Sequence, residues 1–301
     1  MLAVRLTRLV PLHRNSVFLQ WEVDAQDTPP GATELQMVVY RSESPAGPWK
    51  LVSGALENQF YFTDDLSAAT DKAHFGALSR NWYYYVRAVN GVEEANSQAI
   101  DLFEVSQDVL EQREALPTRF QDHGLHRDRK RMILVRRKIL RDLWILLERA
   151  EGRKFAILKR RHMGSRCTND ECWDPATRQA TLQNCPVCHG TGWVDGYYNP
   201  FYAIGLRKPA PVQETNNEAQ GQRETHRFMF LDFPYLEEND IIVDVETNER
   251  YKLGIVTPTE VKGVRVQQYA PANKLVRDDA VYTIEVEREA PYSARIEVGW
   301  H

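Results

Sequence analysis

Cysteine is scarce in this chain, and long apolar runs are missing. Of 301 residues only four are cysteine, and all of them fall between positions 167 and 188. A chain of this length with no other cysteine is unlike a secreted domain stapled by disulfides. No stretch reaches about 18 uninterrupted apolar residues, the length of an ordinary membrane helix, and the first residues lack the features of a secretion signal. We therefore expect a protein made in a reducing cytoplasm, with no membrane partner.

Motifs that mark common enzymes are missing as well. The sequence contains no P-loop, no dinucleotide-binding glycine run, no HExxH motif and no nucleophile elbow. Its eight histidines are scattered, and no pattern among the acidic residues singles out a catalytic pair of carboxylates. We predict that the protein is not an enzyme and has no catalytic residues.

The four cysteines carry the strongest signal in the sequence. Cys167 and Cys172 are separated by four residues, Cys185 and Cys188 by two, and twelve residues lie between the pairs. Two such pairs can surround one tetrahedral Zn²⁺, and four thiolates leave no position open for a reacting water. We predict a structural zinc site with these four ligands. The alternatives are two disulfides or four unrelated core thiols.

Redox chemistry at the second cysteine pair is a further alternative. A redox-active CxxC normally opens a helix after a strand, whereas Gly190 and Gly192 follow here at once. The adjacent His189 is expected to face outward or to make a contact around the metal site, rather than to bind the metal itself.

Charge is distributed unevenly along the chain. The formal net charge of −4 is close to neutral and does not indicate a class of binding partner. Between Thr118 and His162, however, fifteen Lys or Arg stand against five Asp or Glu, a local charge of +10 that leaves −14 elsewhere. This segment favours contact with an acidic protein; the alternatives are nucleic acid and the acidic parts of this chain itself. The residues predicted for this interaction are Arg129, Lys130, Arg131, Arg136, Arg137, Lys138 and Arg141.

Hydrophobic periodicity divides the chain into segments. In residues 1–104, apolar residues recur with period two, as at Val17, Leu19, Trp21 and Val23, which predicts a β-sandwich with turn-rich connections. Residues 105–154 are predicted to form a basic helical segment. It contains a shorter helix at about Gln107 to Ala115 and a main helix, with Gly152 just beyond the end of the main helix. The apolar stripe of the main helix is predicted to contain Ile139, Leu143, Leu146 and Ala150, joined by Leu140, Trp144 and Leu147.

The remaining residues are predicted to form two more segments. Residues 155–205 make up the four-cysteine zinc module, and residues 206–301 form a small β-barrel or sandwich with a polar loop at 209–225. The predicted strands of this last segment are Arg227–Phe233, Ile241–Val245, Arg250–Val256, Gly263–Tyr269 and Val281–Val286. The fold class is therefore mainly β and multidomain, with one central helical segment.

Three features of residues 1–104 resemble a fibronectin type III domain. They are Trp21 in an early strand, the turn Arg41–Trp49, and the strand Tyr84–Asn90. The resemblance covers about a third of the chain and implies an adhesive or spacing module. Counting back by twos from Asn90 places Trp82 where the family usually has its corner tyrosine, with Tyr83 as the substitute if the register shifts.

A second resemblance spans residues 155–286. The strand end Leu158–Arg161, the paired cysteines with the run Cys185–Trp193, the exit Gly196–Pro200, and the runs Asn239–Asp244 and Glu249–Leu253 resemble neck proteins of tailed bacteriophages. The resemblance implies a virion structural protein, a subunit of the head-to-tail connector ring that joins portal and tail. Its implied partners are portal, tail and other neck proteins, further copies of itself in a ring, and packaged DNA beside the basic segment. The implied location is the neck region of the virion.

Two competing functions remain open. The run Cys185–Gly192 also resembles one CxxCxGxG repeat of the J-domain co-chaperones, whose zinc regions bind unfolded chains. That family needs several repeats, and this chain has one. The main alternative is a zinc-ribbon protein that binds nucleic acid through residues 118–162, for which a steep salt dependence of DNA binding would be typical.

Overall fold

The protein is mainly β and folds as two compact units. The computed structural model describes residues 2–13, 15–25, 35–66, 81–91, 93–102, 125–169, 172–174, 179–209, 225–261 and 264–296. One unit comprises Met1–Asp142, Lys262–Val264 and Ala294–His301, and the other comprises Leu143–Val261 and Arg265–Ser293. These residues form eighteen strands and one α-helix. None of the described helices is long and apolar enough to cross a membrane.

The first unit contains two antiparallel sheets. Its strands are β1 (Leu2–His13), β2 (Ser16–Ala25), β3 (Gln36–Ser42), β4 (Lys50–Leu51), β5 (Leu56–Glu57), β6 (Tyr61–Asp65), β7 (Tyr83–Val89), β8 (Glu94–Asn96) and β9 (Ile100–Asp101). One sheet has the order β1-β2-β6, and the other has the order β4-β3-β7-β8, with β5 paired to β3 and β9 paired to β7. The described part of residues 1–104 is therefore built of strands, as the period of two predicts.

Alternation of buried and half-buried residues is clearest in β7. Trp82, Tyr84, Val86 and Ala88 are buried, and the residues between them are half-buried. The predicted register of this strand is therefore confirmed. The alternation fails in the middle of β2, because Phe18 is fully buried as well, its ring stacked 6.2 Å from that of Tyr61.

A buried charge network joins the two sheets. Arg41 of β3 donates from Nη1 to Asp64 Oδ2 of β6 at 2.5 Å, and both side chains are 5% exposed. The hydroxyl of Tyr84 donates to the same oxygen at 2.9 Å. Burial raises the pKa of Tyr84 well above its usual value, and the charge of Asp64 raises it further. In the same unit, the indole Nε1 of Trp21 lies 2.7 Å from Met37 Sδ.

The helix α1 spans Leu125–Arg149. Its buried stripe consists of Leu140, Trp144 and Leu147, whose spacing of four and three residues keeps them on one face. The prediction that Leu146 and Ala150 share the buried face is wrong: Leu146 is 58% exposed and Ala150 is exposed. The buried face is therefore rotated by about one residue from the predicted one. The predicted shorter helix at Gln107–Ala115 lies outside the described residues.

Gly152 ends the helical region for a reason that the sequence does not reveal. Its N–H donates to Leu147 O at 2.9 Å, and a Cβ at this position would lie 2.2 Å from that same oxygen. The residue is therefore needed for close approach of two backbone segments, and not for a left-handed backbone conformation.

We expect Gly152→Ala to destabilise the second unit by roughly 1–3 kcal/mol, because the backbone must shift to admit the methyl group. Gly254→Ala is the matched control, since its Cβ would meet nothing closer than 3.4 Å. Urea denaturation of both variants measures the difference. Equal midpoints for the two variants would contradict this prediction.

The second unit is built around a closed barrel. Its elements are β10 (Arg153–Leu158), β11 (Trp173–Asp174), β12 (Gln179–Ala180), β13 (Phe201–Pro209), β14 (Thr225–Leu231), β15 (Ile241–Asp244), β16 (Arg250–Leu253), β17 (Thr257–Val261), β18 (Val264–Lys274) and the 3₁₀ helix η1 (Ala280–Thr283). The order β14-β13-β10-β15-β16-β18 closes through a β14–β18 pairing, and β17 pairs with β18 outside this ring. The barrel is thus six-stranded and antiparallel.

Aromatic rings fill the barrel. Phe155 meets Phe228 and Phe230 edge-on at 5.4 and 5.6 Å, and Phe228 packs against Tyr251 at 5.0 Å. The predicted strand Val281–Val286 is wrong. Asp279 caps η1 there by accepting a hydrogen bond from Val281 N at 2.9 Å, because an Asx cap competes with strand pairing.

The predicted segment boundaries differ from the observed units. The boundary between 154 and 155 falls inside β10, and that between 205 and 206 falls inside β13. These two strands are neighbours in the barrel, with Ile157 opposite Phe201. The four-cysteine module is therefore an insertion between two adjacent barrel strands, and not a separate segment at 155–205. Most of the predicted polar loop at 209–225 lies outside the described residues.

Candidate metal centre

The four predicted cysteines meet at one point. Their Sγ atoms all lie within 4.8 Å of one another, and none of the side chains is more than 9% exposed. The four thiols are free. The Sγ atoms of Cys167 and Cys185 are 3.7 Å apart and those of Cys172 and Cys188 are 3.1 Å apart, far longer than a disulfide bond of about 2.05 Å.

These distances match a metal-ion cage. A tetrahedral zinc–sulfur site with bonds of about 2.3 Å has sulfur–sulfur edges of about 3.8 Å. The Cys167–Cys185 separation of 3.7 Å is close to this value, the Cys172–Cys188 separation of 3.1 Å is shorter, and all four sulfur atoms lie within 4.8 Å of one another. The four sulfur atoms are therefore arranged to hold one metal ion, and this grouping confirms the prediction that the cysteines converge.

Local backbone geometry shapes the second cysteine turn. His189 N donates to Cys185 O at 2.8 Å, and Thr191 N donates to Cys188 O at 2.9 Å. The hydroxyl of Thr191 donates to Cys188 O as well, at 2.7 Å. Burial alone would raise the pKa of the Cys185 thiol. The N–H groups of Cys188 and Val187 and the neighbouring thiols donate to its sulfur, and their combined effect is larger, so the pKa is lowered to about 6.

The first cysteine turn is tied down in a similar way. Cys172 N donates to Asn169 O at 2.9 Å. Burial raises the pKa of Cys167 to about 11, although the N–H of Asn169 donates to its sulfur and opposes this shift. Burial raises the pKa of Cys172 too. A bound cation would offset this desolvation by stabilising the thiolates, which is why buried thiol clusters suit metal ions.

The metal module docks on the segment after β18. The side-chain amide of Asn184 donates to Asp278 O at 3.1 Å and accepts from Ala280 N. His189 Nδ1 lies 3.1 Å from Ala280 O, so its imidazole contacts η1 and is not one of the four ligands. The role of Asn184 has no signal in the sequence.

A buried ion cluster fastens the start of the insertion to the barrel. Lys159, 2% exposed, places Nζ 2.6 Å from Glu237 Oε2 and 3.7 Å from Asp240 Oδ2. Asp240 is fully buried and accepts hydrogen bonds from Arg160 N and Glu237 N, both at 2.8 Å. The Asp of the Asn-Asp-Ile-Ile run is therefore a structural residue that joins the insertion to the barrel.

Glu237 gives this cluster a predictable response to acid. Burial raises its pKa, but hydrogen bonding to His162 and the charge of Lys159 dominate and lower the pKa to about 2. Because the folded pKa lies below the unfolded value, Glu237 stabilises the fold above about pH 4.5, and this contribution is lost as pH falls towards 2. We expect a loss of at most about 3 kcal/mol.

Comparing Glu237→Gln with wild type measures the contribution of Glu237 alone, because acid would release a bound metal from both proteins equally. Urea denaturation at several pH values should show wild type more stable above pH 4.5 and the two proteins converging near pH 2. Parallel curves for the two proteins across that range would contradict the assignment.

The predicted interaction residues lie along α1. Arg129, Lys130 and Arg131 are in the helix, but their side chains lie outside the described part of the structure. Arg136 and Arg137 are half-buried, whereas Lys138 and Arg141 are exposed. Arg141 Nη2 lies 3.6 Å from Asp142 Oδ1. Arg137 and Arg141 share one helix face at a spacing of four residues.

Comparison with known proteins adds little. No protein-family model matches the sequence, and no curated protein matches it. The chain is similar to a solved structure described as "Titin kinase and its flanking domains", with 11% sequence identity, coverage of 90% of this chain and a TM-score of 0.26. The match spans 37% of the length of that solved chain. A TM-score this low supports no conclusion about fold or function.

Proposed function

We propose that this protein is a structural subunit of the neck of a tailed bacteriophage, part of the connector ring between portal and tail. Its four-cysteine centre would hold a structural Zn²⁺, the ion that an all-thiolate tetrahedral set favours. The metal would make rigid a loop-rich insertion that is too small to hold a core of its own. The role is mechanical: subunit surfaces are held in fixed positions during assembly.

One observation carries the proposal. The runs that resemble neck proteins meet in a single unit and each has a defined structural role there. The cysteines form the metal centre, and Asp240 joins the insertion to the barrel. Arg250, 1% exposed, donates from Nη2 to Ile284 O at 2.6 Å and from Nη1 to Val281 O. These contacts support the proposal that the runs on which the resemblance depends belong to one folded unit.

The surface of the second unit suits contacts with neighbouring copies. In the described sheet, β17 pairs with β18 alone, so its outer edge is available for backbone hydrogen bonds. Ile255, Val261 and Val276 are 74%, 41% and 73% exposed. Head-to-tail contacts between such surfaces close into a ring when their rotation allows.

The first unit is proposed to be a fibronectin type III-like spacing module. The sheet orders β1-β2-β6 and β4-β3-β7-β8 are consistent with such a sandwich. Tyr84 lies two residues after Trp82, the usual corner position, and its hydroxyl donates a hydrogen bond to Asp64 across the sandwich. This bond is a candidate replacement for that of the corner tyrosine.

The basic residues of α1 are proposed to contact an acidic surface of a portal, tail or neck protein. The exposed Lys138 and Arg141 are available for this. Packaged DNA is the alternative partner. Binding to DNA with a steep salt dependence would favour the nucleic-acid-binding function, and indifference to DNA at moderate salt would exclude it.

Mass photometry and negative-stain imaging test the proposal. We expect rings or ring fragments from the purified, zinc-loaded chain or from virion fractions that contain it. Monomers in both preparations would overturn the connector function. The result for zinc is independent, because metal content is measured on the same samples without reference to assembly.

A further inference from the structure

The metal module carries a cleft that neither the metal centre nor the barrel uses. It has a volume of about 480 Å³ and is lined by Arg160, Arg166, Trp173, Gly190, Thr191 and Trp193, among others. Ligand sites commonly have volumes of this order. The lining combines two guanidinium groups with two indole rings, a set suited to an anion attached to an apolar group.

Arg166 is held between the two indole rings. Its guanidinium carbon lies 3.9 Å from the ring centre of Trp173 and 3.7 Å from that of Trp193. Gly192, with φ of 81°, makes room for this arrangement, since a Cβ there would lie 2.9 Å from the Trp173 ring. The two rings are tilted by 43° and their centres are 6.4 Å apart, so the guanidinium lies in the corner between them. This contact holds its positive charge at the cleft, where it attracts an anion.

Arg160 supplies the second cation of the cleft. Its Nε is shielded from solvent and has no hydrogen-bond partner among the residues that the structure describes. A buried donor without a partner is uncommon, because leaving it unpaired destabilises the fold. An oxygen atom of a ligand in the cleft is one way to satisfy it.

The floor of the cleft belongs to the metal-binding turn. Gly190 and Thr191 lie two and three residues after Cys188, and Cys167 N donates to Gly192 O at 3.0 Å. An isolated bridge pairs the backbones of Arg166 and Trp193. The geometry of the cleft is therefore set by the same turns that bring the cysteines together.

We propose that this cleft binds the carboxylate of a glutamate or aspartate side chain on an extended segment of a partner protein. The guanidinium groups bond the carboxylate, and the indole rings contact the apolar residues beside it. A phosphodiester chain fits less well, because two guanidinium groups line the cleft and the neighbouring Arg161 is paired with Asp195 at 3.5 Å, which leaves little further positive charge for a polyanion. The proposal does not depend on the connector function.

Titration of the full, zinc-loaded chain with short peptides tests the proposal. The chain is labelled with 5-fluorotryptophan, and the ¹⁹F signals of Trp173 and Trp193 are assigned through phenylalanine variants. The probes are acetyl-Val-Glu-Val-amide, its glutamine analogue, inorganic phosphate and a single-stranded DNA dodecamer. We expect the glutamate peptide to shift both signals saturably, with a Kd of order 1 mM, and the glutamine analogue to leave them unchanged.

Two arginine variants sharpen the test. Arg160→Gln should raise the Kd of the glutamate peptide at least about fivefold, because one of the two cations is lost. Arg161→Gln is the matched control, since Arg161 donates to Val194 O at 2.9 Å and stacks on Tyr198, away from the cleft lining. The zinc content of each variant checks that the module is folded.

Several outcomes would overturn the proposal. One is the absence of any shift with the glutamate peptide up to about 20 mM, well above the expected Kd. Others are an equal shift with the glutamine analogue, or equal weakening in the two arginine variants. Tighter binding of phosphate or of the DNA dodecamer than of the glutamate peptide would assign the cleft to a different anion.

Discussion

Cys188→Ser is expected to reduce the zinc content from about one ion per chain to below about 0.1, and to remove the fixed structure of the insertion. The four thiols are buried and crowded within 4.8 Å, so losing one ligand leaves three thiols and a hydroxyl around the ion. Structural zinc sites in small peptides contribute apparent binding free energies of about 10–16 kcal/mol near neutral pH. No other single change in the second unit is expected to have a larger effect.

Metal analysis and hydrogen exchange measure this effect. Amides between β10 and β13 should lose protection in Cys188→Ser, and wild type treated with a chelator should show the same loss. His189→Ala is the matched control, because its imidazole contacts Ala280 O and not the ion. We expect it to retain zinc. Well under one zinc per chain in reduced wild-type protein, or full zinc in Cys188→Ser, would refute the site.

Asp64→Ala is expected to destabilise the first unit by about 3–5 kcal/mol. The change removes the carboxylate that pairs with Arg41 at 2.5 Å and leaves a buried guanidinium without its counter-charge. It also removes the acceptor of the Tyr84 hydroxyl. A buried charge without a partner is among the most destabilising changes that a point mutation can make.

Hydrogen exchange of amides in β2 and β7 reports the stability of this unit. A loss of 3 kcal/mol corresponds to exchange about 150-fold faster. Glu22→Ala is the control, because its pair with Arg5 is 3.0 Å long but has side chains 32% and 65% exposed, and such pairs contribute less than about 1 kcal/mol. The double variant Arg41→Leu, Asp64→Ala should recover part of the loss. Similar exchange rates in Asp64→Ala and Glu22→Ala would show that the buried Arg41–Asp64 pair contributes no more to stability than the exposed Arg5–Glu22 pair.

The metal ligands could be predicted from the sequence because each pair is local. The cysteines of a pair are separated by only two or four residues, so a single turn brings them together whatever the surrounding fold is. The strand register of β7 was equally accessible, since side chains in a strand alternate with a fixed period of two. Such features depend on near neighbours in the chain.

Other parts of the site depend on contacts between distant residues. Lys159 and Glu237 are 78 positions apart, and Asn184 and Ala280 are 96 apart. Nothing near either residue in the sequence indicates its partner. The stripe of α1 was misplaced for a similar reason: Leu146 and Leu147 are equally apolar, and packing partners from elsewhere in the chain decide which of them is buried. The cleft combines residues from 160 to 193 and has no motif of its own.

The insertion between β10 and β13 also bears on the order of folding events. Ile157 pairs with Phe201, so these neighbouring strands must find each other across a long stretch of chain. A metal ion that gathers the cysteines first would roughly halve the length of free chain between the strands, and so lower the entropy lost in closing it. Pairing that is remote along the chain would then behave as a local event, and the barrel would close faster with the metal than without it.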